Sequence, residues 1–202
     1  MKTKKIIIAI IFPIALIYNI SAQETDEQRD QRYRHFIDEF LDTYIAAYEQ
    51  EQIEYIADFF STDALIITET KKLLKNGAEA VPQTSKKRPY EQIVEDKKTY
   101  INRLREIFAA NVKIKLGIAD KRVMRHGNYP EIYGISFLQL WKDQNGGDNL
   151  ESQMPGYIFL MIDFKTHGEM EPIIHVRTWQ PKDNINTPKD KYSLYDFNVY
   201  DF

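Results

Sequence analysis

The sequence predicts an α+β fold: three helices, all within the N-terminal half, packed on one strongly curved antiparallel sheet. Three observations lead there. Residues 25–60 and 90–110 carry apolar side chains at the three- and four-residue spacing of helix stripes. After Asn111 the period drops to two, the mark of strands with one buried face. Pro155 to Pro181, PGYIFLMIDFKTHGEMEPIIHVRTWQP, reads as two long strands around a tight turn at Thr166 to Glu169.

Before the first helix stands a different kind of segment. Lys2, Lys4 and Lys5 precede an apolar run from Ile6 to Ile17, and small residues follow at Ser21 and Ala22. That is the tripartite pattern of a secretory signal peptide, with cleavage expected after Ala22. The run is far shorter than the ~20 residues that span a bilayer. No stable membrane anchor is expected after cleavage. Residues 23–202 then form a single exported domain, periplasmic or secreted, whose last stretch, 181–202, is a polar linker and an aromatic segment. The chain has no cysteine, so its stability rests on its core. Removing residues 1–22 takes three lysines and no acids, which turns 27 basic and 30 acidic residues into 24 and 30, a net charge of −6. Such a surface repels phosphate backbones and argues against nucleic-acid binding.

Thr25 and Gln28 form a capping-box pattern at the start of the first helix. Tyr33, Phe36, Ile37, Phe40, Leu41, Tyr44, Ile45 and Tyr48 make its single apolar stripe. Glu49 to Gln52 breaks the pattern, and a short second helix turns Ile53, Ile56, Ala57 and Phe60 inward. Ser61-Thr62-Asp63 has turn chemistry, and Ala64 to Thr68 is a short strand. Residues 71–89 read as a solvated connection with room for a short strand near Leu73-Leu74. A third helix is expected from about Tyr90 to Ala110, burying Ile93, Val94, Tyr100, Ile101, Leu104, Ile107 and Phe108.

Val112 opens a strand that continues across a bulge through Arg125. His126 to Pro130 turns the chain, and Ile132 to Lys142 is the next strand, with Leu138 and Leu140 on one face and Tyr133, Gln139 and Trp141 on the other. Asp143 to Met154 is a polar loop. In the hairpin, Ile158, Leu160, Ile162 and Phe164 share a face. Strict alternation sets Ile174 and Val176 opposite His175, Arg177 and Trp179. A closing strand is expected within Tyr192 to Phe202.

Order and motifs together resemble the nuclear transport factor 2-like superfamily, the cone-shaped fold of ketosteroid isomerase and scytalone dehydratase. The residues that carry the resemblance are Phe40-Leu-Asp-Thr-Tyr-Ile-Ala-Ala-Tyr48, Ile56-Ala-Asp-Phe-Phe-Ser-Thr-Asp-Ala64, Gln139-x-Trp141, Gly156-Tyr157, Asp163-Phe164 and His175-Val-Arg-Thr-Trp-Gln-Pro181. The C-terminal motifs look like an exported bacterial branch. The resemblance implies a curved sheet wrapped around helices, often with a pocket between them; it leaves function open. Of the isomerase's machinery, its oxyanion-stabilising tyrosine matches Tyr44. Its catalytic aspartate falls on Thr68, which is no base near neutral pH. Its second aspartate falls near Ile162, with Asp163 one place off.

His175, Asp163 and Arg177 are the candidate catalytic cluster, with Tyr133, Gln139, Trp141, Tyr157, Phe159, Trp179 and Tyr44 as ligand or interface residues. A histidine beside a carboxylate can act as a base, and an arginine can clamp an anion. The plainer alternative is a cross-strand ion pair beside a packed histidine. His35, His126, His167 and His175 show no metal-ligand spacing, and no nucleophile or cofactor motif is present. The sequence therefore leads to an exported, non-catalytic domain that binds a small molecule or a protein. An isomerase- or dehydratase-type enzyme is the alternative. If Tyr157, Phe159, Trp141 and Trp179 share the outer sheet face, they form an aromatic patch that a homodimer would cover.

Overall fold

A computed structural model describes residues 24–71, 90–110, 113–143, 151–152, 155–165 and 171–185. The signal segment, the strand expected near Leu73-Leu74, the hairpin turn at 166–170 and the closing strand all lie outside them. The elements run α1 (Asp26–Glu49), α2 (Ile53–Asp58), β1 (Phe60–Lys71), β2 (Tyr90–Glu95), α3 (Lys97–Ala110), β3 (Ile114–Arg125), β4 (Ile132–Asp143), β5 (Glu151–Ser152), β6 (Gly156–Asp163) and β7 (Ile173–Pro181), closed by a 3₁₀ turn at Lys182–Asn184.

The capping box forms as expected: Gln28 N donates to Thr25 Oγ1 at 3.2 Å, and Thr25 N to Gln28 Oε1 at 2.9 Å. The α1 stripe buries Tyr33, Ile37, Phe40, Leu41, Tyr44, Ala47 and Tyr48. Glu51, at φ 56°, turns the chain into α2. Toward the N-terminal end of α1, Tyr33 stacks on Phe164 at 4.3 Å, and the Tyr133 hydroxyl donates to Asp30 at 2.6 Å.

The strands form one curved sheet in the order β2-β1-β7-β6-β4-β3, with β5 paired to the end of β4. Two expectations need correction. The sheet is mixed, because β1 and β7 run parallel. Tight turns dictate antiparallel pairing only for strands that they join, and β1 and β7 are separated by most of the domain. Tyr90 to Glu95 is also a strand rather than the start of α3, and it pairs antiparallel with β1. Ile93 and Val94, expected to be buried, are 43% and 63% exposed on this edge strand. The helix begins after Asp96, whose Oδ1 accepts from Thr99 N at 2.7 Å, an N-cap bond.

Ser61 to Asp63 lies inside β1, where the register with β7 shifts between Phe60 and Leu65. The turn chemistry marks that irregularity. The bulge expected in β3 is present between Ala119 and Arg122, with Asp120 at φ 52°. The core lies between the helix stripes and the inner sheet face, where Ile66, Ile135, Phe137, Ile158, Leu160, Ile162 and Ile174 are fully buried. On the outer face Glu69 is only 4% exposed; Asn184 Nδ2 donates to it at 2.5 Å and Gln180 Nε2 at 3.3 Å. That contact ties the turn after β7 to β1.

Candidate functional site

A bulge in β7 decides which side chains meet. Met161 of β6 pairs with Val176, but the next residue, Ile162, pairs with Ile174, leaving His175 as the extra residue. A single inserted residue reverses the alternation beyond it. Ile174 points into the core before the bulge, and Arg177 and Trp179 do so after it, opposite Leu160 and Ile158. The expected face shared by His175, Arg177 and Trp179 is therefore corrected. His175 stays on the outer face with Asp163, Nε2 to Oδ2 3.6 Å. Arg177 goes to the inside.

There Arg177 is 6% exposed, and its guanidinium carbon sits 5.0 Å from the Tyr100 ring centroid, a cation–π contact. Tyr44 and Tyr48, one turn apart on α1, complete the surround. The Tyr48 and Tyr100 hydroxyls share a 2.7 Å hydrogen bond. The Tyr44 hydroxyl and Arg177 Nε–H are buried and make no well-formed hydrogen bond, although Tyr44 lies close enough to the guanidinium to help hold its charge. Among the described residues no carboxylate pairs with Arg177. Burial works against its charge; the oxygens of Tyr100, Tyr44 and Tyr48 raise its pKa, a pull that is full only where phenols ionise, well above neutral pH. Burial pushes the Tyr100 phenol up to about 12 and raises Tyr48 as well. The cluster thus offers a fixed cation and neutral hydroxyls, a combination that complements an anionic oxygen.

Thr68 lies on the same inner face, opposite Trp179, and Arg103 Nη2 approaches its hydroxyl at 3.4 Å. Arg103 is in turn held by Glu95 at 2.5 and 3.1 Å. Tyr133 and Gln139 are buried on the inner face of β4, and Trp141 packs on the core beside them. Trp179 also packs on the core, and its indole lies over Gly156, where a Cβ would come within 2.3 Å of the ring nitrogen. Tyr157 and Phe159 are the residues left on the outer face, both half-buried. The dimer expectation thereby loses Trp141 and Trp179, two of the four rings it was built on. Tyr48 and Tyr100 were missed as site residues because at helical spacing a phenol looks like any core ring. Their signal was three tyrosine hydroxyls, each needing a partner, on two core stripes.

No protein-family model matches the sequence, and no curated protein matches it. Solved structures do. A scytalone dehydratase-like protein from Novosphingobium aromaticivorans superposes with a TM-score of 0.55 at 11% identity, covering 77% of this chain and 88% of that one. A protein of the same organism described as NTF2-like with a cystatin-like fold gives 0.54 at 10% identity, covering 88% and 96%. Bd1075 of Bdellovibrio bacteriovorus gives 0.49 at 12% identity, and the chain spans only 40% of it. The chain is an α+β cone with the nuclear transport factor 2-like fold. Within that fold it resembles the scytalone dehydratase-like and cystatin-fold members named above.

Proposed function

We propose that the protein is a non-catalytic binding domain that holds a small anionic molecule at Arg177 inside the cone. The observation that carries this reading is a buried guanidinium with no carboxylate partner among the described residues, whose Nε–H and the neighbouring Tyr44 hydroxyl make no well-formed hydrogen bond. Buried polar groups are nearly always hydrogen-bonded, and buried charges nearly always paired. An anionic oxygen donated by a ligand satisfies both at once. Neighbours of this fold include proteins named as enzymes, but proton transfer needs a base near the bound molecule. Among the described residues no carboxylate or imidazole pairs with Arg177. By the resemblance, the isomerase's base position falls on Thr68, and the His175–Asp163 pair lies on the outer sheet face.

Calorimetric titration with benzoate and with benzamide tests the reading. Benzoate is expected to bind and benzamide not, with Tyr44→Phe weakening benzoate about tenfold or more, the value of a hydrogen bond to a charged group. Equal affinity for the two probes, or none for either, counts against an anion site.

Export is proposed alongside, resting on residues 2–22 alone. Mass spectrometry of the mature chain should find Gln23 at its N-terminus; an intact Met1 on membrane-bound material would refute cleavage.

A further inference from the structure

A groove of about 330 Å³ opens where α1 and α2 meet the residues that lead into β7. That volume is within the size range of small-molecule sites. Its walls are aromatic. Phe36 and Phe40 come from α1, and Phe59 follows α2. Phe59 meets Phe40 edge-on at 5.3 Å and Tyr55 at 5.0 Å. Tyr55 lines the same groove and is 47% exposed, unusual for so large a ring.

The polar residues along the groove carry one sign of charge. Glu39, Asp58 and Glu171 line it, and among the described residues no lysine or arginine does. Glu39 meets His35 Nε2 at 3.3 Å on α1. Asp58 and Glu171 have no cationic partner among the described residues. Aromatic faces attract cations through their quadrupoles, and they also accept the apolar body that carries the charge. Unpaired carboxylates add a longer-range pull and repel anions.

We propose that this groove binds an organic cation, an ammonium carried on a small apolar body. The groove and the Arg177 cluster then select ligands of opposite charge, although they share a wall: Phe40 and Phe59 pack on Tyr44 at 6.3 and 6.0 Å between ring centroids.

Choline and its neutral isostere 3,3-dimethylbutan-1-ol are the probes, titrated separately into the ¹⁵N-labelled mature protein and followed by amide shifts. Choline is expected to shift residues of 36–59 and 171–173 in a saturable way, with the isostere about tenfold weaker or worse. Asp58→Asn should weaken choline roughly two- to fivefold, as for an exposed ion pair. Tyr55→Ala should weaken it about threefold or more. Both side chains are exposed, so the variants are expected to fold, and an unchanged shift pattern away from the groove checks this. Equal binding of the isostere, shifts scattered away from the groove, or no saturable shift with choline would each overturn the proposal. Saturable binding of choline that both variants leave unchanged would overturn it too.

Discussion

Replacing Arg177 with methionine is expected to raise the melting temperature of the ligand-free protein while abolishing its affinity for benzoate. A charge withdrawn from water costs several kcal/mol even after the surroundings relax. The stack on Tyr100 returns up to about 2 kcal/mol when desolvated. No carboxylate supplies the remainder among the described residues, and near neutral pH the Tyr48 and Tyr100 phenols offer dipoles rather than charges. Methionine is similarly long and unbranched, and it adapts to irregular core spaces. The net gain is expected to be about 1–3 kcal/mol, of the order seen when buried charges give way to apolar side chains. For a domain of this size each kcal/mol moves Tm by roughly 2–4 °C. Thermal unfolding by circular dichroism reads it directly. A fall in Tm of similar size would show that the tyrosine ring cage satisfies Arg177, which would then serve as a structural residue.

The second large effect concerns Gly156. An added Cβ would lie 2.3 Å from Trp179 Nε1, 2.4 Å from Cε2 and 2.8 Å from Cζ2, far inside contact distance. Gly156 pairs with Gln139 on one side and Pro181 on the other, so its backbone is held in the ladder and cannot retreat. The indole must leave its place against the core. Gly156→Ala is therefore expected to cost about 2–3 kcal/mol, the upper range for overpacking a core. Urea denaturation should show a lower midpoint with an unchanged slope. In a Trp179→Leu background the same change should cost less than about 1 kcal/mol, because the clashing partner is gone. Equal costs in both backgrounds would mean that strand geometry, not the indole, is what Gly156 protects.

Most of the architecture was legible because it is written in local periods. The α1 stripe, its capping box, the β3 bulge and the β6–β7 hairpin follow from side chains within a few residues of one another. Tyr90 to Glu95 misled because Ile93 and Val94 also fit a helical stripe extended backwards from Tyr100. Only Asp96, an N-cap, marks the true boundary. The parallel pairing of β1 with β7 has no local signature at all. The site was legible in its residues but not in its grouping. His175, Asp163, Arg177 and Tyr44 were all candidates, yet alternation assumed an unbroken strand. A bulge at His175 depends on how β7 meets β6, and that single residue separates the histidine–aspartate pair from the arginine.

The parallel pairing of β1 with β7 also has a temporal side. Sheet neighbours on one flank are β2 and β1, and on the other β6, β4 and β3; β7 alone joins the two ladders. The Glu69 contacts with Gln180 at the end of β7 and with Asn184 just beyond it lock that junction. The folding chain can therefore pair β1 with β2 and β3 with β4 and β6 early, but it owns no continuous sheet until β7 takes its place between them. The cone is expected to close last at its centre, not at its rim, with that long-range closure as the slow step of folding.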